Sequence, residues 1–374
     1  MKRVVYIIGA GFSQPLGLPT ISNFFEKAKE LNRQDPTRYK GYKILDKTVK
    51  DFSIIKNYCK VNLFNIEELL SITEMRDHIG SKDSRKKIID VIVEVIQGTT
   101  PPIKLNFLFD LPRCDKKGFD WDNVDCFEQV NINHTQYCSF VSHIHGIAIH
   151  CIKKEKYPET WDMIWEKPEL SSEIRFDTSS GIHYDIISLN YDTVLEDICD
   201  FINTNNYIKR KNKKIKFKRS KNDKVDENSP YLIKLHGSID DKKTIVPPTW
   251  KKGEHNNEIK EQWEIASELI SNANHIVFLG YSLPANDNYI LSLLQSSIKD
   301  TTITSMRSVN SDRETIETYK DIFPDVEVEH TDCQSYLQKF QQSQILKPPI
   351  STSSNCCFVY NGGLGWDRKK EIIF

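Results

Sequence analysis

The sequence predicts an α/β protein: a parallel sheet with helices on both faces, a helical insertion after the first βα unit, and a C-terminal appendage. Three observations predict it. Residues 3–8, RVVYII, form a β-branched run that stops at Gly9-Ala10-Gly11, the pattern of a buried strand leaving through a tight turn. From residue 184 onward, strand-like and helix-like segments alternate, as parallel crossovers require. Between these parts lies a stretch whose apolar residues recur at helical spacing.

The elements follow in order. Thr20, after Pro19, predicts the N-cap of a helix over ISNFFEKAKEL. Residues 33–42 are polar and turn-like, and Asn65 predicts the cap of IEELLSITEMRDH. Residues 83–97 repeat at helical spacing until Pro101-Pro102 breaks the pattern. Residues 103–130 give no clear pattern, and 136–154 read as helix. Strands are then expected at 184–190, 231–237, 275–280, 302–309 and 326–329. Helices are expected at 192–202, 258–271, 287–298, 312–319 and 334–340. The expected organisation is a core of 1–32 and 184–340, an insertion of 33–183, and a linker with a hairpin-like appendage over 341–374.

Composition narrows the function classes. The chain has 374 residues, 39% of them hydrophobic, and a formal net charge of -1. That balance gives no global attraction to nucleic acid or membrane. No apolar run reaches the roughly 18–20 residues that span a bilayer. The N-terminal MKRVVYII runs directly into the glycine turn, so it reads as a strand rather than a leader. The nine cysteines are scattered and contain no C-x-x-C. That argues against a four-cysteine zinc site and a secreted disulfide framework, and toward reduced thiols in the cytoplasm.

Five strand ends carry candidate chemistry. Gly9, Ala10, Gly11 and Ser13 follow the first strand, where a glycine turn lets backbone N–H groups approach a pyrophosphate. Gln14 stands where a full fingerprint has its third glycine. Asn190 and Asp192 close the second core strand; Asp192 suits ribose hydroxyls or the cap of the next helix, and both readings are open. His236, in Leu235-His236-Gly237-Ser238, is a base candidate near neutral pH, although a lone histidine is more often structural. Gly280 and Ser282 end another strand as phosphate-contact candidates, with Asp287 or Asn288 opening the helix that follows. Asn310 ends a further one and offers an amide to a ribose or adenine edge.

Taken together, GAGFS, Gly17-Leu18-Pro19-Thr20, NYD, Lys234-Leu235-His236-Gly237-Ser238 and GYSL resemble the sirtuin family in the broad sense, most closely the sirtuin-like domains of bacterial antiphage defence. The resemblance spans residues 3 to 310. It implies a Rossmann-like core and NAD as substrate, with Asn190 and His236 catalytic and no metal. Gly9, Ala10, Gly11, Ser13, Thr20, Asp192, Gly280, Ser282 and Asn310 would bind the dinucleotide. Deacetylase sirtuins carry a zinc ribbon of two C-x-x-C pairs and a Gln-Asn-Ile-Asp run; this chain has neither. The resemblance therefore implies NAD hydrolysis to nicotinamide and ADP-ribose. The alternatives are an NAD- or nucleotide-sensing module without turnover, and a protein deacylase. It also implies a homo-oligomer, and in some systems a HerA-like hexameric ATPase partner.

One feature stands outside these motifs. Lys209 to Lys224, KRKNKKIKFKRSKNDK, is a dense positive block in which Ile215 and Phe217 alternate with lysines. It reads as a hairpin strand with one apolar face. Either its charges are simply solvated, or they contact nucleic acid or an acidic partner.

Overall fold

The computed structural model describes residues 2–59, 62–80, 83–103, 132–152, 171–176, 181–204, 208–209, 214–246, 257–284, 287–298 and 302–344. The expected appendage beyond residue 344 lies outside them.

Strand β1 (Lys2–Ile8) runs down the middle of a six-stranded sheet. Its neighbours are β4 (Ile182–Ser188) and β7 (His275–Leu279), both parallel to it. Three further strands extend the two sides: β6 (Leu232–Lys234) beyond β4, and β8 (Ser305–Asn310) then β9 (Glu327–His330) beyond β7. The order β6-β4-β1-β7-β8-β9 is that of a dinucleotide-binding sheet, in which the chain winds outward from the first strand in both directions. The expected all-parallel, Rossmann-type α/β core is thus present.

The strand pattern explains the layers. On β1, Val4, Tyr6 and Ile8 join one hydrophobic cluster, and Val5 and Ile7 the other, because successive side chains point to opposite faces. The second cluster is covered by α8 (Asn257–Ser271), α9 (Asn288–Ser297) and α10 (Arg313–Ile322). The first takes α7 (Val194–Thr204) and α11 (Cys333–Gln344), and continues without a break into the helices between β1 and β4. These are α1 (Ala10–Ser13), α2 (Phe24–Gln34), α3 (Gly41–Cys59), α4 (Ile66–His78), α5 (Ser84–Thr99) and α6 (Ile132–Ile144). In α5, Ile88, Ile89, Val91, Ile92, Val93, Val95 and Ile96 are all buried, as befits a helix surrounded by others.

Three expectations are corrected. Helix α2 is capped by Asn23, not Thr20; the Asn23 side chain instead accepts the Thr20 N–H at 2.7 Å. Residues 136–154 are not one helix: α6 stops at a turn through Gly146, whose φ is 60°. The β-branched run beyond it forms β2 (Ile147–Ile152), which pairs antiparallel with β3 (Ser171–Phe176); β5 (Ile208–Lys209) adds in parallel. The basic block forms no hairpin over its described residues. Residues 214–217 are extended, with Ile215 and Phe217 buried as the alternation implied, and Lys218 bridges in parallel to Tyr231. The cap of α4 is as expected: the Asn65 side chain accepts from the N–H groups of Glu67 and Glu68.

The switch point lies between β1 and β7, and glycines make it possible. The Gly11 N–H donates to the Gly280 carbonyl at 2.9 Å and the Gly9 N–H to the Leu279 carbonyl at 3.0 Å. A Cβ on Gly280 would lie 2.4 Å from the Gly11 carbonyl carbon, at a φ of 60°. We therefore expect Gly280→Ala to cost about 3 kcal/mol or more in urea unfolding. The control is Gly80→Ala, where φ is also positive but nothing lies within 4 Å; it should cost about 1–2 kcal/mol. Equal losses in the two variants would contradict the close-approach argument.

Buried histidines set a pH dependence. Burial holds His143 and His145 down at about 4, whereas an unfolded histidine titrates near about 6.5. Between those values the unfolded chain binds more protons, so stability falls as pH falls from about 6.5 toward 4. Each should cost about 1–2 kcal/mol by about pH 5. Denaturation midpoints at pH 7 and 5, in wild type and in His145→Gln, should show a smaller loss in the variant.

Candidate active site

The candidate residues leave neighbouring strands at the same level. Ile8 and Lys234 both pair with Ser188. Asn190 and His236 therefore lie two residues beyond paired positions on β4 and β6. On the other side of β1, Ile8 pairs with Leu279, so Gly9 and Gly280 lie level. The sheet thus brings four of the five strand ends to one edge, and β8 adds Asn310 through the pair Leu279–Val309.

Hydrogen bonds join these ends. The Asn190 amide, 7% exposed, donates to the Gly9 carbonyl at 2.9 Å and lies 3.3 Å from the Ser13 hydroxyl. Asp192 accepts the Val194 N–H at 3.1 Å, so it caps the start of α7 as one of its two readings had it. Burial pushes its carboxyl up from the ordinary range, while the Lys234 ammonium and the Ser13 hydroxyl pull it partly back. Asn310 donates to the Tyr281 carbonyl at 3.4 Å. Thr20 is not tied into this group; its hydroxyl meets Ser22 and its N–H meets Asn23. Ser282 is exposed on the loop after β7.

The glycine turn is already engaged. The N–H groups of Gly9, Gly11 and Phe12 all go to carbonyls of the chain, and that of Gly280 goes to Val309. The two glycines of the GAG turn therefore serve close packing against the Gly280 loop before they serve any ligand. The part-exposed Ala10, Gly11, Asp192 and Asn310 form the accessible part of the edge, and Asn190, Ser13 and His236 are buried. Such a division suits a nucleotide laid along the edge with its reactive bond facing recessed groups.

Two residues stand out that strand-end reasoning did not select. Lys234, 5% exposed, ends β6; its ammonium reaches the Asp192 carbonyl, the Ser238 hydroxyl at 3.0 Å and Glu196 at 3.1 Å. It ties the Asn-Tyr-Asp turn to the His-Gly-Ser turn. Only its place in the KLHGS run signalled it. Asp287, 3% exposed, precedes α9 and accepts the Tyr281 hydroxyl at 2.8 Å; its carboxylate is 3.9 Å from His236 Nε2. Nothing in the spacing of Asp287 from the other motifs could have selected it.

Two cations of the basic block, Arg219 and Lys221, are ion-paired where it is described. Arg219 pairs with Glu196 at 2.5 Å and Asp240 at 3.2 Å, and Lys221 pairs with Glu268 at 2.8 Å. Glu196 is thus shared by Arg219 and Lys234. A cleft of about 460 Å³ opens beside Thr193, Asp197, Phe201 and Ile239, next to Asp192 rather than over the glycine turn. Among the described residues no group of three or more His, Cys, Asp or Glu is placed to hold a metal ion, and no helix is long and apolar enough to cross a membrane.

A Rossmann-type sheet with this edge defines a class, and the comparisons give it a family likeness. Residues 185–314 match the family model of the SIR2-like domain. That span holds Asn190, Asp192, His236, Gly280, Asp287 and Asn310, and leaves the GAG turn outside. No curated protein matches the chain. Among solved structures the chain is similar to one reported under "Structural Basis for the Mechanism and Regulation of Sir2 Enzymes", at 12% identity and a TM-score of 0.34, with 92% of each chain covered. So distant a likeness adds nothing to the fold described above.

Breaking the Lys234 cluster should be costly, because the buried Lys234 ties two turns together and Glu196 loses one of its two cations. Lys234→Met is expected to lower stability by about 3 kcal/mol in urea unfolding. Arg219→Met, whose side chain is 39% exposed, should cost under about 1 kcal/mol. A reversed order would remove Lys234 as the centre of the cluster.

Proposed function

We propose that the chain is an NAD glycohydrolase, cleaving NAD to nicotinamide and ADP-ribose at the strand-end edge. One observation carries this reading: Asn190 and His236 leave adjacent parallel strands level with each other, beside the glycine turn at the switch point of the sheet. Ligands bind at that point in open α/β sheets. The SIR2-like match over residues 185–314 supports NAD as the ligand.

The chemistry asks for few groups. The bond between ribose C1′ and the nicotinamide nitrogen breaks, and its electron pair goes to the nitrogen. The cationic ring thereby leaves neutral, so no general acid is needed. C1′ is left oxocarbenium-like, and water adds there and loses a proton. The Asn190 amide would orient the ribose or that water. His236 would take a proton from a ribose hydroxyl or the water, and Asp192 would hold ribose hydroxyls. A placed base contributes about 10²–10⁴-fold. Burial of Asn190 and His236 favours such charge development, since fixed dipoles act more strongly where water is excluded.

A second reading has its own observation. The Asn190 amide already donates to Gly9, and His236 is 2% exposed. A closed pair of this kind also suits a module that binds NAD without turning it over. A deacylase is less well supported, because the sequence lacks the paired C-x-x-C of a zinc ribbon. The setting implied by the resemblance is NAD depletion in antiphage defence, by an oligomer with or without an ATPase partner.

Purified protein incubated with NAD should release nicotinamide and ADP-ribose without an acyl-lysine substrate. Asn190→Ala and His236→Ala, shown folded by circular dichroism, should each lower the rate by at least about 10²-fold. Wild-type turnover in either variant would overturn the assignment. NAD binding without nicotinamide release would select the sensor.

A further inference from the structure

We infer that Asp287 is a positioning residue for His236, its carboxylate holding the imidazole in one orientation and one tautomer, with the Nε2 proton turned toward Asp287. This rests on His236 as the base proposed above. The two side chains come from different strand-end loops and meet in the interior, His236 at 2% and Asp287 at 3% exposure. The Nε2 to Oδ2 separation is 3.9 Å. That is ion-pair range and longer than a hydrogen bond, and catalytic contacts in unliganded proteins are often long and tighten when substrate binds. A base oriented by a third group is the recurring arrangement of proton-transfer sites.

Asp287 is itself fixed. The Tyr281 hydroxyl donates to the same Oδ2 at 2.8 Å. The Tyr281 carbonyl accepts from the Tyr319 hydroxyl at 3.1 Å and from Asn310 at 3.4 Å. The Asp287 N–H donates to the Pro284 carbonyl, and its carbonyl accepts from Ile290 and Leu291 at the start of α9. The carboxylate is thus held from the β7 and β8 side of the sheet and faces a histidine from the β6 side. Among the described residues, the Tyr191 ring lies 6.2 Å from the imidazole, and the charges of Glu67, Asp287 and Arg85 act on Tyr191. Among the described residues, Asp287 is the acid within ion-pair distance of His236.

The experiment uses the full chain and two readouts. Asp287→Asn keeps shape and removes the charge. It should lower kcat for NAD cleavage by about 10-fold or more, with KM changed less than about threefold. A neighbouring carboxylate raises the pKa of an imidazole. The ¹⁵N NMR titration of His236, assigned with His236→Ala, should therefore move to lower pH by about one unit in Asp287→Asn, and the acid limb of kcat/KM with it. Tyr281→Phe keeps the carboxylate, so its His236 should titrate at or above the wild-type value. An unchanged titration in Asp287→Asn overturns the proposal. So does a downward shift in Tyr281→Phe equal to that in Asp287→Asn, which would mark packing as the cause. If wild type releases no nicotinamide, the hydrolase reading fails while the titration still decides the role of Asp287.

Discussion

The close approach of two turns at the centre of the sheet governs the rest of the molecule. The GAG turn after β1 lies against the Gly280 turn after β7, backbone to backbone, with no room for a Cβ at Gly9, Gly11 or Gly280. Strands β1 and β7 are neighbours in space though about 270 residues apart in sequence. Their ends meet where the winding reverses. Everything chemically suggestive hangs from this junction. Asn190 anchors on the Gly9 carbonyl, and Tyr281, one residue past Gly280, carries the hydroxyl that fixes Asp287. Glycine here is first a condition of assembly. A ligand at the same edge would meet a surface whose shape that packing has already set.

A second constraint runs along the other side of β1. Lys234 has its charge inside the protein, where an ammonium persists only when its hydrogen bonds are satisfied. It meets that condition with Asp192, Ser238 and Glu196. One side chain thus fixes the two turns that carry Asn190 and His236 relative to each other. Arg219 completes the charge count on Glu196. This ties the later half of the basic block to the turns that carry Asn190 and His236. The lysines at 214 and 216 remain on the surface, while Ile215 and Phe217 anchor the segment in the core. The block's described part, from 214 to 224, is better seen as a segment bridged to Tyr231, just before β6, than as a free cationic arm.

How much of this could be read from residues alone depended on range. Local signals carried well. The β-branched run at 3–8, the Asn65 cap and the strand–helix alternation after 184 all concern neighbours within a turn or two, where periodicity and capping act. Signals failed where a single residue diverted the chain. Gly146 turned an apparent helix into a helix and a strand, and Asn23 rather than Thr20 took the cap because three turn residues intervene. The hairpin expected of the basic block failed for another reason: its alternation was real, but over its described residues it bridges to Tyr231, just before β6, and not to itself. At the site, the strand ends were legible because ligand edges lie at known places on such sheets. Asp287 was not, because its meeting with His236 depends on how the loop after β7 folds back, including a left-handed Leu283 at φ 51°.

Burial of the candidate pair bears on mechanism more than any single distance does. A surface histidine beside a carboxylate would gain little, since water screens the pair. Here both groups and the tyrosine that clamps the carboxylate are nearly sealed, so each feels its neighbours strongly. Burial alone would lower the basicity of an imidazole; a fixed carboxylate restores it. That opposition is what the Asp287 carboxylate would supply to His236 as the proposed base. It also explains why the carboxylate needs its own clamp: an unfixed buried charge would turn toward whichever donor lay nearest. Tyr281 supplies that clamp, and Tyr281 is held by the same turn whose glycine packs on the GAG segment. The electrostatics of His236 therefore trace back to the junction of β1 and β7. A substitution that loosened that junction would alter the proton affinity of a residue on a different strand without touching it.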